Sequence, residues 1–449
     1  MPDNIIEKLQ RANHLYQSLN DFILEAEGEL AVCLEKFSAE KLTKLSPSQG
    51  SHNHQMVLDL FTTEGNINYQ TPIDIYIQQQ TDLNDVDRQI LQKWYRSFVG
   101  LFTVEKISEN GLVLKNWLTA KIYHLQIKNK QEEQQLTRIK PGEILLTRIS
   151  PLDAENWIFS GPFTLMGKLG KPKLAIAIGN FKQNFPNYLY ADAPELLQEA
   201  WLSVEWYHQQ FLNYFGSTEI TMSGKELAVK LKQFQQQLAE NRLEKVGIDT
   251  SKSLQQLATE SGISDSEMQT NLETMGIDSQ TSQEIFQHPL TSKMVTPKVE
   301  LPPHILHAQT VTTLSHPQWG QVFLTDYLEF TQLLASTPWQ KTPEAEKLVR
   351  EYLSKPEVHP GIWQNLAAKY PRQLEIILQD IVNRPDWKLE SDLHQLLQQY
   401  NKPPRPQLPE IASVPIHLHN LFEEALIEVN RKNKSKNKSK TKSKTGFQL

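Results

Sequence analysis

The chain has 449 residues, 39% of them hydrophobic and 22% charged, with a net charge of -6. That length fills two or three domains with separate cores, and the balance excludes a wholly disordered chain. A single cysteine, Cys33, excludes a disulfide framework and a cysteine-built zinc site.

The first segment reads as helix. Ile5, Leu9, Ala12, Leu15, Leu19, Phe22, Ile23 and Ala26 recur three and four residues apart, which predicts one apolar stripe. A second stripe, Leu30, Val32, Leu34 and Phe37 to Leu42, predicts a partner helix, so residues 3–45 should pack as a hairpin. Cys33 lies in that second stripe and reads as a buried structural thiol. Residues 46–51 read as a loop. Residues 56–76 are mixed, apart from Thr71-Pro72, where proline suits a first helical turn. Leu83, Val86, Ile90, Leu91 and Trp94 predict a helix over 82–95, with Asp85, Asp87 and Arg88 on a solvated face. The first residues carry neither a basic n-region nor an apolar h-region, so no signal peptide is expected. No run approaches the roughly 20 apolar residues of a spanning helix. With one thiol, a reduced cytoplasm is the expected compartment.

Residues 97–161 read as β structure. Phe98 to Glu105, Gly111 to Asn116, Ile122 to Leu125, Ile144 to Ile149 and Trp157 to Ser160 are short strand-like runs. Asn110-Gly111 and Pro141-Gly142 supply tight turns between them. Alternation in the first run predicts half-buried strands, and five or six of them predict a small barrel-like module without long free edges. Leu174 to Ile178 is a candidate further strand.

The motifs Ser97-Phe98, Phe102 and Val104, Gly111-Leu112 and Leu114, Pro141-Gly142 with Ile144-Leu145-Leu146 and Arg148-Ile149, and Trp157 with Phe159-Ser160-Gly161 carry a resemblance. Residues 83–163 resemble an uncharacterised bacterial β domain often found with SEC-C zinc motifs. That zinc motif needs several cysteines, so the resemblance implies the β fold and no metal here.

From Pro194 onwards the chain reads as helices. Leu196, Leu197, Ala200, Trp201, Val204, Tyr207, Phe211 and Phe215 form an aromatic stripe. Ser223 with Glu226 reads as a capping box. Residues 343–353 and 389–400 are the clearest later helices, and the proline-rich stretches 292–310 and 401–412 read as linkers. Ser253-Leu254-Gln255-Gln256-Leu257-Ala258-Thr259-Glu260-Ser261-Gly262-Ile263-Ser264, followed by Met268, Leu272 and Ile277, reads as a helical hairpin with a glycine turn. It resembles the helical N-terminal module of bacterial translation initiation factor two. Asp265, Glu267 and Glu273 give its second helix the wrong sign for a phosphate backbone.

The C-terminal segment holds Arg431, Lys432, Lys434, Lys436, Lys438, Lys440, Lys442 and Lys444, eight basic residues of a chain at -6, which leaves -14 on residues 1–430. It has no apolar residue to pack, so a disordered polycation is expected. Those eight residues are the candidate nucleic-acid or anion-binding set; without interleaved aromatics they offer affinity and no base reading. His52/His54, His304/His307 and His417/His419 are spaced for a shared ion, but each pair lacks a third ligand in sequence. Motifs of hydrolases, phosphate loops and dinucleotide sites are missing from the sequence.

These readings predict an α+β chain, mostly helical, with one small antiparallel β barrel-like module and a disordered C-terminal tail. The expected division is a helical domain over 1–82, the β module over 83–190, and a helical region over 191–291 with its hairpin at 251–278. A linker over 292–310, a helical domain over 311–400, a proline linker with a short helix over 401–430 and the basic tail over 431–449 complete it. No catalytic, cofactor or metal residue is assigned. The expected role is a non-enzymatic cytoplasmic adaptor, assembly or regulatory factor working through an unknown protein partner. The alternatives are an RNA- or DNA-associated protein that uses the lysine-rich tail, and an enzyme without a sequence motif. Trp157, Trp201, Trp206 and Trp319 are candidate partner anchors where exposed, although burial suits each of them better.

Overall fold

A computed structural model describes residues 2–44, 50–108, 110–245, 294–336, 338–342 and 344–442. Helices dominate these residues and sheets interrupt them, giving a mixed α+β chain. Contacts divide the chain into two compact units. One joins residues 1–197 to 415–449, and the other holds residues 198–414.

The first unit begins with α1 (Pro2–Leu24) and α2 (Glu29–Lys44), the hairpin that the apolar stripes predict. Next come α3 (Gly50–Glu64), α4 (Pro72–Gln79) and α5 (Asp85–Lys93). Thr71 caps α4 and Asn84 caps α5, each in a reciprocal capping box, which satisfies the free N–H groups of the first turns. Ala12, Leu15, Leu19, Phe61, Ile73 and Leu91 make the core between these helices. The solvated face expected on α5 is only partly so. Asp87 is fully buried and holds both oxygens against the Arg11 guanidinium, because α1 packs over it.

Five strands follow: β1 (Phe98–Ser108), β2 (Gly111–Asn116), β3 (Ile122–Gln126), β4 (Ile144–Pro151) and β5 (Asn156–Gly167), with α6 (Lys130–Leu136) between β3 and β4. They close into a barrel of order β1-β2-β3-β5-β4. The expectation of an all-antiparallel module needs correction, since β3 and β5 run parallel. Five strands in a ring cannot alternate direction at every seam, so one pair must be parallel. Phe98, Phe102, Tyr123 and Trp157 fill the interior with edge-on ring contacts 4.9–5.9 Å apart for the pairs Tyr123–Trp157, Phe98–Tyr123, Phe98–Trp157 and Phe102–Tyr123. Gly100 lets the Phe102 ring fold back over the strand, where a Cβ would stand 2.4 Å from it. The first half of β1 is buried on both faces, not half-buried, because Val99 and Leu101 pack outward against a helical layer.

That layer is α7 (Lys171–Asn184) and the start of the last helix, α16 (Ile416–Lys442). The candidate strand at Leu174–Ile178 is therefore the middle of a helix. Pro172 sits in its first turn, and Leu174, Ala177, Ile178 and Phe181 share its buried face. Helix α8 (Pro194–Phe215) carries the aromatic stripe across the boundary between units.

The second unit is not all helix, as was expected after Pro194. Strands β6 (Glu219–Met222), β7 (Val311–His316) and β8 (Gly320–Leu324) form an antiparallel sheet of order β6-β7-β8. Helix α9 (Gly224–Lys245) begins at Ser223, whose hydroxyl accepts the Glu226 N–H at 3.3 Å. The hairpin expected at 251–278 lies outside the described residues. Then come α10 (Pro303–Leu306), α11 (Tyr327–Ala335), α12 (Ala345–Ser354), α13 (Pro360–Lys369), α14 (Pro371–Val382) and α15 (Leu389–Gln399). Their core centres on Phe330, Tyr352 and Trp363, with the Phe330 and Tyr352 rings stacked at 4.0 Å.

The backbone of α16 is described to Lys442, through most of the basic segment. Among the described residues no helix is long and apolar enough to cross a membrane.

Candidate functional site

Between α3 and α4 the chain makes a four-residue turn. Ile67 and Gln70 exchange both backbone hydrogen bonds, at 2.8 and 2.9 Å. The two residues between them, Asn68 and Tyr69, have φ of 51° and 69°. Turns of this hand favour Asn-Gly, because a Cβ at positive φ meets the backbone. A tyrosine in that second place is therefore strained. The turn is pinned on each side: Ile67 is buried in the helical core, Asn68 donates to Glu29 at 2.7 Å, and the Asn66 side chain accepts the Tyr69 N–H at 2.9 Å. The Tyr69 side chain itself is 98% exposed. Val32, one turn along α2 from Glu29, and Leu24, at the end of α1, are also exposed apolar residues.

A second cluster lies inside the same unit, where α1 and α3 meet β4 and β5. Asp59 on α3 is fully buried. Its Oδ1 accepts from the Tyr16 hydroxyl at 2.6 Å and from Gln55 at 3.3 Å, while its Oδ2 has no hydrogen-bond partner. Burial pushes the Asp59 carboxyl up to about 7, against the pull of Tyr16, Arg148, Gln55 and Lys128. Arg148 on β4 is buried too and donates to Ser160 and Thr63, each at 3.0 Å. Lys128 lies over the Tyr16 ring at 4.6 Å, and burial lowers its affinity for a proton. Burial raises the neighbouring Glu132. Burial thus pushes Asp59, Lys128 and Glu132 toward their neutral forms, while the Arg148 Nε has no hydrogen-bond partner.

A third cluster lies in the second unit. The Trp319 and His359 rings stack at 4.7 Å and within 4° of parallel. Gly361 makes room for this, since a Cβ there would stand 2.4 Å from the indole. His359 is buried, and burial, followed by the fields of His316 and Lys402, lowers it to about 3. Lys402 is lowered to about 8 by burial and donates to the Lys355 carbonyl. His316 accepts the N–H groups of Gln318 and Trp319 through Nδ1, which fixes its role as a turn-former.

The sequence-assigned set is placed as follows. Arg431, Lys432, Lys434, Lys436, Lys438, Lys440 and Lys442 lie on the backbone of α16, and Lys444 lies outside the described residues. Of the histidine pairs, His52, His54, His304 and His307 are exposed, and His417 bonds the Trp117 carbonyl at 2.7 Å. Among the described residues no three His, Cys, Asp or Glu side chains are grouped to hold a metal ion. Trp157 is buried in the barrel, and Trp201, Trp206 and Trp319 are partly buried. Sequence reasoning missed Tyr69, Asp59 and Arg148. The two charges had a signal, a lone ionised residue inside an apolar run (Val57-Leu58-Asp59-Leu60-Phe61 and Ile144-Leu145-Leu146-Thr147-Arg148-Ile149). Comparison with protein-family models, curated proteins and solved structures finds no match to this chain.

Proposed function

We propose that this protein is a non-enzymatic adaptor or assembly factor that works through protein–protein contacts. The observation that carries this reading is the Tyr69 turn. A left-handed conformation costs a non-glycine residue about 1–2 kcal/mol. Here that cost holds a ring that packs against nothing in its own chain. Rigid, exposed tyrosines are common anchors of protein interfaces, because they bury a large area for little lost rotamer freedom. The test is a photo-crosslinking amino acid at position 69 of the full chain in cells. An adduct with another polypeptide is expected, and none at all refutes the reading.

A second reading rests on α16, whose helix carries seven of the eight basic residues. Such a cationic rod suits RNA or DNA through counterion release. Its test is a salt series of nucleic-acid binding by the full chain and by a variant with the eight cations changed to glutamine. Affinity that is steeply salt-dependent and lost in the variant supports it.

A further inference from the structure

We infer that a groove on the first unit, between α1 and the residues that follow α4, takes lysine or arginine side chains of a partner polypeptide. Tyr69 does not line it, so the inference stands apart from the adaptor reading and its crosslink. The groove follows one stripe of α1: Arg11, His14, Ser18, Phe22 and Glu25 recur three or four residues apart along it. Tyr76 on α4, with Gln80 and Asp82 after it, lines the other side. Its volume is about 360 Å³, room for long side chains. The apolar lining includes Leu15 and Tyr76, both buried, and Phe22 and Leu83, half-buried. The Phe22 and Tyr76 rings meet edge-on at 5.3 Å.

Charge is unevenly placed along this groove. Arg11 and His14 stand at one end, and Glu25 lies about 21 Å further along α1 from Arg11, at 1.5 Å per residue. Arg11 is already held by both oxygens of the buried Asp87, so it does little to offset the acids. Asp21, Glu25 and Asp82 have no such partner: among the described residues no lysine or arginine pairs with any of them. Asp82 accepts only the Thr81 hydroxyl, at 2.8 Å. The negative field reaches Tyr76, whose hydroxyl is raised by burial and then by Asp87 and Asp82, against Ser18 and Arg11. A cation on an apolar stem answers such a lining. Lysine and arginine lay their methylenes on apolar surface and hold the charge at its edge, and aromatic rings add cation–π attraction. An uncharged occupant would take water from three unpaired carboxylates and give nothing in exchange. A bare metal ion does not fit, because among the described residues no three such side chains are grouped to share one. Asp21 and Glu25, one turn apart on α1, with Asp82 from another segment, suit several cations spaced along one chain.

Fluorescence anisotropy of a fluorescein-labelled tetralysine peptide, titrated with the full chain at about 0.05 M and about 0.15 M salt, tests this. Binding that weakens with salt is expected. Asp21→Asn with Glu25→Gln and Asp82→Asn should weaken it about 10-fold, as loss of three exposed charge pairs does. Gln80→Trp keeps every charge and fills the groove, and it should weaken binding at least as much. A control chain with Glu35→Gln, Glu133→Gln and Glu155→Gln loses three exposed carboxylates outside the groove and should bind within about twofold of the unaltered chain at the higher salt. No binding by the unaltered chain overturns the inference, and so does full binding by Gln80→Trp. Equal loss in the groove and control variants also overturns it, since the attraction would then belong to the acidic body as a whole. Spermidine that binds more tightly than the peptide overturns a polypeptide occupant in favour of a free polyamine.

Discussion

Changing Asp59 to asparagine should remove a pH dependence of stability that the wild-type chain carries. Burial raises this carboxyl from 3.8 to about 7. The folded chain therefore holds a proton that the unfolded chain gives up near pH 4. A raised acid contributes stability fully below its unfolded value, and that contribution is lost as pH rises to the folded value. At 1.36 kcal/mol per unit, a rise of about 3 units amounts to about 4 kcal/mol, nearly all of it lost by pH 8. Between pH 5 and pH 9 the loss is about 3 kcal/mol. Asparagine keeps the acceptor that Tyr16 and Gln55 use and turns an N–H₂ toward the side where Oδ2 has no partner. An unpaired buried donor costs about 1–3 kcal/mol at every pH. The variant should therefore be less stable than wild type at pH 5 and close the gap, or overtake, by pH 9. Urea unfolding followed by circular dichroism at pH 5, 7 and 9 measures both chains. A constant difference across that range would refute a protonated Asp59 in the folded state.

Other consequences follow from single contacts. His359 is depressed from 6.5 to about 3, so the second unit should lose about 2 kcal/mol between pH 6.5 and pH 5, and His359→Gln should flatten that slope in the same denaturation series. Tyr69→Gly should raise thermal stability by about 1 kcal/mol, because glycine accepts a φ of 69° without strain; a fall in melting temperature would mean that the ring supports its own fold. Gly111→Ala should destabilise the barrel by about 3 kcal/mol, since its Cβ would stand 1.9 Å from the Leu125 carbonyl oxygen, and unchanged melting would show that the strands can part there. Asp87→Ala removes both an α5 cap and the Arg11 pair; Arg11 is 39% exposed, so solvent screens it and the loss should be about 1–2 kcal/mol in a thermal scan.

The parts of the fold that were legible in sequence are those with a long, regular period. Helices α1, α2 and α8 each repeat an apolar stripe over three turns or more, and the barrel strands are bracketed by glycine turns. What was illegible has identifiable causes. Five apolar residues at 174–178 are too few to separate a strand from a buried helix, and the pairs beyond them, Phe181 with Leu174, settle it only in retrospect. Strands β6 to β8 are four to six residues long, and two buried threonines, Thr312 and Thr313, blur the alternation of the middle one. Helix α3 opens with Gly50-Ser51-His52-Asn53-His54, which looks like loop chemistry, yet its later residues bury Leu58, Leu60 and Phe61. The Tyr69 turn gave no signal because its strained position holds tyrosine in place of glycine, so the residue that matters is the one that breaks the turn rule.

The contrast between Asp59 and Tyr69 bears on what the chain does. Both carry an energetic cost, the first from desolvation and the second from backbone strain. Asp59 recovers part of its cost inside the fold, through Tyr16 and Gln55 and through the fields of Arg148 and Lys128. Such a cluster can fix the helical layer on the barrel in one arrangement, because a shifted helix would leave several buried polar groups unpaired at once. Tyr69 recovers nothing from its own chain, with its ring almost wholly in water and its neighbours holding only the backbone that presents it. In the adaptor reading proposed above, that cost is offset by a contact made with another molecule.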